Sequence, residues 1–316
     1  MSVTMPAGRR VAAGLLGSAL ALLAAGVPAA AAPTESTGTF SVTAQRLVLE
    51  PTDGGYVGTL NASVTNNGPT ATQFTLAVRE PAGASFGQLD PSEACWWSGS
   101  ADGVRLQVSC GGSTTRLEPG ATQQYRVSFQ VRTTPRDYAM IVDDGYVGVL
   151  VDSEQPVASA PFTTLFRSTK GSIKKPRPYV QASQTDISLN AGALHLDRLA
   201  DGSLQGRMPL TVRYGNDAPS FNLGILASLP AGVVIRGIEP AGDMPWFPDS
   251  FSVPGGRFMP GEERSVDVIL TAPAGTPAGD LGTGSYTASS DFPVSLTDVS
   301  PADNTASFTV TAADAS

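Results

Sequence analysis

One alternating pattern occurs twice in this chain, and it limits what the chain can fold into more than any other feature. Leu60, Ala62 and Val64 alternate with polar residues and run into Asn66-Asn67-Gly68-Pro69. At an offset of 148 residues, Met208, Leu210 and Val212 do the same and run into Gly215-Asn216-Asp217-Ala218-Pro219. Phe74, Leu76 and Val78 come next in the first copy, and Leu223, Ile225 and Ala227 in the second. Both sets lead into the same tripeptide, Pro81-Ala82-Gly83 and Pro230-Ala231-Gly232. Pro119-Gly120 and Pro260-Gly261 then each open a further strand. Its apolar positions, Tyr125, Val127 and Phe129 or Val266, Val268 and Leu270, fall five, seven and nine residues beyond the glycine. A period of two at matched parity means half-buried antiparallel strands with one face on a core.

Further strands are expected around residues 40–49, 104–110, 146–151 and 162–166, and around 187–189, 233–238, 285–288 and 307–310. About seven short strands per copy, punctuated by Gly, Pro and Asn, predict an all-β chain of two tandem immunoglobulin-like β-sandwich domains. Composition agrees. Gly 34 and Pro 25 are too many breakers for a helical bundle, and 41% hydrophobic residues are too many for a disordered chain. The expected organisation is a signal peptide over 1–31, domain 1 over 32–166, a basic flexible linker over 167–178 and domain 2 over 179–316. The linker, RSTKGSIKKPRP, carries five basic residues and no acidic ones, so it is expected to bury little and to be open to proteases.

The first segment reads as an export signal. Arg9 and Arg10 precede an uncharged apolar run from Val11 to Val27, and Ala29-Ala30-Ala31 then satisfies the small-residue rule for cleavage after Ala31. The 17-residue run, diluted by Gly and Ala, is short for a membrane span of about 20 residues. Cleavage removes two arginines and no acids, so the net charge of −8 becomes −10. No second stretch approaches spanning length, and no sorting motif or lipobox cysteine is visible. The expected product is secreted, released or held non-covalently at the cell wall, with no stable membrane insertion after signal cleavage. A pI near 4.7 without a basic stripe predicts no nucleic-acid partner.

Four segments also resemble a family. VTNNGP from Val64, PAGASF from Pro81, the hairpin bracketed by the cysteines and LEPGATQQYRVSFQV from Leu117 are similar to the bacterial repeats called the domain of unknown function eleven family. TDVSPADNTASFTV from Thr297 looks like the closing motif of that repeat. The resemblance implies immunoglobulin-like modules of secreted and cell-surface proteins, without catalytic residues.

Candidates for chemistry are few. Cys95 and Cys110 are fifteen residues apart across a turn, and an oxidising destination favours their pairing as a disulfide. His195 is the single histidine, which leaves it without a partner for a two-histidine metal site, and no G-x-S-x-G elbow occurs. The acidic groups at Asp143-Asp144, Asp197/Asp201 and Asp298/Asp303 do not match a calcium-loop spacing and read as turn residues. No catalytic residue, metal site or cofactor is therefore expected. The aromatics are the better candidates for contact. Trp96 and Trp97 are adjacent, so on a strand they face opposite sides and one is expected in the core. Trp246 and Phe247 form a second aromatic loop. Trp97, Trp246 and Phe247 are the expected contact residues for a cell-envelope protein or glycan. The chain thus reads as a non-enzymatic, secreted or envelope-associated binding or spacer protein. The alternative is an extracellular carbohydrate-binding or polysaccharide-accessory protein.

Overall fold

The computed structural model describes residues 38–97, 103–242, 248–291 and 296–314, and of residues 112–115 the backbone only. The signal-peptide assignment therefore lies outside the described residues. Those that are described form strands and no helix, arranged in two sheets. Among the described residues, no helix is long and apolar enough to cross a membrane.

The first sheet comprises β1 (Phe40–Ala44), β2 (Leu47–Thr52), β3 (Gly55–Asn66), β4 (Thr72–Arg79), β5 (Phe86–Asp90), β6 (Cys95–Trp97), β7 (Gln107–Leu117), β8 (Thr122–Val131), β9 (Met140–Leu150), β10 (Ala158–Phe166) and β11 (Arg177–Pro178). Its order is β5-β8-β3-β2-β10-β9-β4-β7-β6, with β1 on β3 and β11 on β9. The second comprises β12 (Ile187–Ala191), β13 (Leu194–Arg198), β14 (Leu204–Tyr214), β15 (Asn222–Ser228), β16 (Val234–Glu239), β17 (Ser250–Ser252), β18 (Glu262–Ala272), β19 (Gly279–Asp291) and β20 (Thr305–Ala312). Its order is β16-β18-β14-β13-β20-β19-β15-β17, with β12 on β14. Seven strands match in order, β5-β8-β3-β2-β10-β9-β4 with β16-β18-β14-β13-β20-β19-β15; beyond them the first sheet continues through β7 and β6 and the second through β17 alone. The first sheet curls into a half-barrel and the second nearly closes.

The duplication read from the alternating residues extends to the register. Leu60 stands opposite Val127 and Ala62 opposite Tyr125 on β3–β8. On β14–β18, Met208 stands opposite Val268 and Leu210 opposite Val266. All eight side chains are buried. Each sheet folds back on itself through one strand that serves both layers. β2 pairs antiparallel with β3 and parallel with β10, and β13 pairs antiparallel with β14 and parallel with β20. The crossing is close. A Cβ on Gly58 would lie 2.4 Å from the Val48 carbonyl oxygen, and one on Gly206 would lie 2.2 Å from that of His195. Gly58 and Gly206 are 148 residues apart, the same offset as the strands themselves. Two further glycines also repeat in place. Gly145 faces Phe162 and Gly284 faces Phe308, and in both pairs a Cβ would strike the ring.

The strand count exceeds the seven expected per copy: the first expected strand breaks at Gln45–Arg46 into β1 and β2, where the chain changes layers, and the short strands β5, β6, β11, β13 and β17 were not expected. Each copy has its own apolar core, one centred on Tyr56, Leu60, Val127 and Phe166, the other on Met208, Leu210, Tyr286 and Val310. The basic run 167–178 is not the contact-free segment that its composition suggests. Ser168 is fully buried, and Arg167 pairs with Glu50 at 2.8 Å. The Thr169 and Arg177 N–H groups donate to the carbonyls of Arg136 and Ala139. Backbone bonds, which composition does not report, tie the run to the first sheet.

Candidate binding groove

The two outermost strands of the first sheet, β5 and β6, are joined by residues 91–94, and a groove opens between them. β6 is three residues long and hydrogen-bonds on one side to β7. Cys95 stands opposite Cys110 across that pair, and the two form a disulfide with Cα atoms 4.1 Å apart. The pairing expected from spacing is therefore present, and it pins the strand that carries both tryptophans.

Trp96 and Trp97 are 44% and 45% exposed, so neither enters the core as alternation suggested. A three-residue outer strand has solvent within reach of both faces. The Phe221 ring of the second copy lies 4.8 Å from the Trp97 ring, tilted by 49°. Together with Phe86, Leu89, Glu93 and Arg257 these rings line a groove of about 480 Å³. Trp246 and Phe247 lie outside the described residues.

Below the groove, the loop of residues 80–86 is shaped by one buried carboxylate. Glu80 accepts hydrogen bonds from the N–H groups of Phe86 (2.6 Å), Ala84 (3.1 Å) and Leu106 (3.3 Å). Its burial pushes the carboxyl pKa up to about 7, against the pull of those three N–H groups and of the Arg257 charge. The Ala84 backbone sits at φ 55°, a left-handed conformation that costs a non-glycine residue energy and is held by the bond its N–H makes to Glu80. Arg257 reaches across from the second copy and donates to the Ala84 carbonyl. Desolvation and the nearby Arg132 lower the Arg257 pKa, and Glu80 opposes them.

Other polar contacts join the copies alongside. Gln181 grips Gly83 at both backbone groups, accepting from its N–H at 2.7 Å and donating to its carbonyl at 3.2 Å. Asp217 accepts from the Thr133 hydroxyl (2.8 Å), the Tyr179 hydroxyl (3.0 Å) and the Ala182 N–H (3.1 Å). Tyr179 packs on the first core, with its ring 4.8 Å from that of Phe166.

The remaining sequence candidates are not among the residues lining the groove. His195 is exposed on β13, with Nδ1 3.0 Å from Thr311 Oγ1 and Nε2 3.7 Å from Asp197. Asp201 accepts from Ser203 and Asp298 from the Ser300 N–H, as turn-forming carboxylates do, and Asp298 also accepts from the Thr185 hydroxyl and the Ile187 N–H more than a hundred residues away. Among the described residues, no three His, Cys, Asp or Glu side chains are grouped as a metal site.

Sequence reasoning did not single out Glu80, Phe221 or Arg257. A signal for the first was present: aligning the two Pro-Ala-Gly tripeptides sets Glu80 against Leu229, a charge where the other copy is apolar. Phe221 and Arg257 carry no such mark, because their role depends on where the other copy sits.

No family model matches the chain, and no curated protein does. Among solved structures, a protein of unknown function from Porphyromonas gingivalis is 14% identical, with 87% of this chain and 99% of that one covered and a TM-score of 0.20. A transglutaminase from red sea bream is 13% identical, with 89% and 32% covered and a TM-score of 0.22. The YadV chaperone is 10% identical, with 86% and 100% covered and a TM-score of 0.21. At such scores these likenesses carry no argument about fold or function.

Proposed function

We propose that the chain is a non-enzymatic, exported binding protein whose two copies are tandem immunoglobulin-like modules. The repeated strand order, the two separate cores and the disulfide support this reading. So does the resemblance of its turn motifs to repeats of secreted and cell-surface proteins. One observation carries the binding role: the groove takes its floor and one wall from β5 and β6 and its far wall from Phe221 and Arg257, so it exists only where both copies meet. Clefts between modules are favoured positions for ligand sites. The contacts that fix the copies against each other then hold the groove's width constant, which a tether alone does not require.

Expression of the full-length gene in a bacterial host, followed by fractionation, tests the reading. The expected outcome is a product beginning at Ala32 in the medium or on the cell wall, with wall retention reduced by Trp97→Ala and unchanged by His195→Ala. A product that stays in the cytoplasm, or retention that is indifferent to Trp97, would count against it.

A further inference from the structure

Resting on that reading, we infer that the groove is a saccharide site, with the Trp97 indole as the platform for a pyranose ring. Its volume of about 480 Å³ falls within the range of small-molecule sites and is too small for a folded partner. Trp97 offers a half-exposed aromatic surface, and its electron-rich face attracts the C–H patch on one side of a sugar ring. The fringe around it suits hydroxyl groups. Glu93 only accepts hydrogen bonds, Arg257 only donates, and Gln88 and Ser92 do both. Each sugar hydroxyl is at once donor and acceptor, so such a mixture can satisfy several in one place.

Three other ligand classes fit less well. For an anion, Arg257 is the one cationic residue among the described residues lining the groove. It already donates to the Ala84 carbonyl, its charge is answered by Glu80, and Glu93 stands in the same groove. For an extended peptide added as a strand, the outer edge of β5 is interrupted. The β5–β8 register shifts between Phe86 and Gln88, and such bulges disrupt the ladder an incoming strand would need. For a purely apolar ligand, the Glu93 carboxylate in the groove would lose water without gaining a partner.

The test is calorimetric titration of the intact mature protein with cellotetraose, chitotetraose and maltotetraose, alongside inorganic phosphate and a proline-rich peptide as competing probes. The expected result is saturable binding of at least one tetraose. Trp97→Ala should weaken it about tenfold or more, Trp97→Phe should weaken it less, and Trp96→Ala should change it by about twofold at most. Gln88→Ala, at an exposed fringe position that the fold does not need, should also weaken it. Absence of binding by all three tetraoses at about 1 mM would overturn the inference, as would binding that survives Trp97→Ala. If the proline-rich peptide binds instead and Trp97→Ala abolishes it, the saccharide assignment fails while the binding role stands. If Trp97→Ala changes neither ligand binding nor wall retention, both fail.

Discussion

Glu80 is a carboxylate buried in a loop whose counterpart in the other copy carries Leu229 at that position. Its pKa of about 7 lies above the ordinary value of 4.5, so between those pH values the folded chain holds a proton that the unfolded chain has released. The folded state therefore loses stability as pH rises through that window, by about 3 kcal/mol in all, and the loss levels off above pH 7. Urea titrations at pH 5, 6, 7 and 8 should show this slope, and Glu80→Gln should remove it. A second residue-scale prediction concerns the glycines under the layer-changing strands. Gly58→Ala and Gly206→Ala each drive a methyl into a backbone carbonyl, which cannot swing aside as a side chain can. Each should cost about 2 kcal/mol or more. Gly237→Ala, whose Cβ would meet nothing nearer than the Ile269 Cδ1 at 3.9 Å, should stay within about 0.5 kcal/mol of the parent in the same measurement.

At the scale of elements, β6 is too short to hold itself in place. Three residues paired on one side supply few backbone bonds, and the Cys95–Cys110 bridge closes the hairpin that carries them. Replacing both cysteines by alanine should lower the stability of the first copy by about 3 kcal/mol. Amide exchange should then accelerate in β6 while β14 and β18 keep their protection, since no bridge touches the second core. The same strand shows how far sequence alone could reach. Alternation located β3, β8, β14 and β18 and named the faces they bury, because a half-buried strand repeats every two residues whatever its neighbours do. It misplaced Trp96 and Trp97, because the rule that one face is buried fails on an outer strand with solvent on both sides. The change of layers at β2 and β13 was legible only as two glycines at the strand offset, and nothing local distinguishes those from turn glycines. The groove was half legible: Trp97 stood out as an aromatic pair, whereas Phe221 and Arg257 matter only through a contact between residues more than a hundred positions apart.

At the scale of the whole molecule, Asp217 is a junction. Three donors from three segments converge on its carboxylate: Thr133 after β8, Tyr179 after β11 and Ala182 before β12. Asp217→Ala removes their shared acceptor and leaves two hydroxyls and one N–H to find water, but it empties neither core. The intact chain is expected to melt in one calorimetric transition and the variant in two, since separate cores unfold separately once uncoupled. A single unchanged transition in the variant would show that other contacts suffice. The layer-changing strands have a mechanical consequence as well. β2 lies near the start of the first copy and β10 at its end, and the two run parallel, as β13 and β20 do in the second. Tension applied between the ends of either copy pulls such a pair lengthwise in opposite directions, so the bonds across it must yield together rather than peel apart one after another. A chain anchored at one end and loaded at the other would resist extension in both of its halves by the same device.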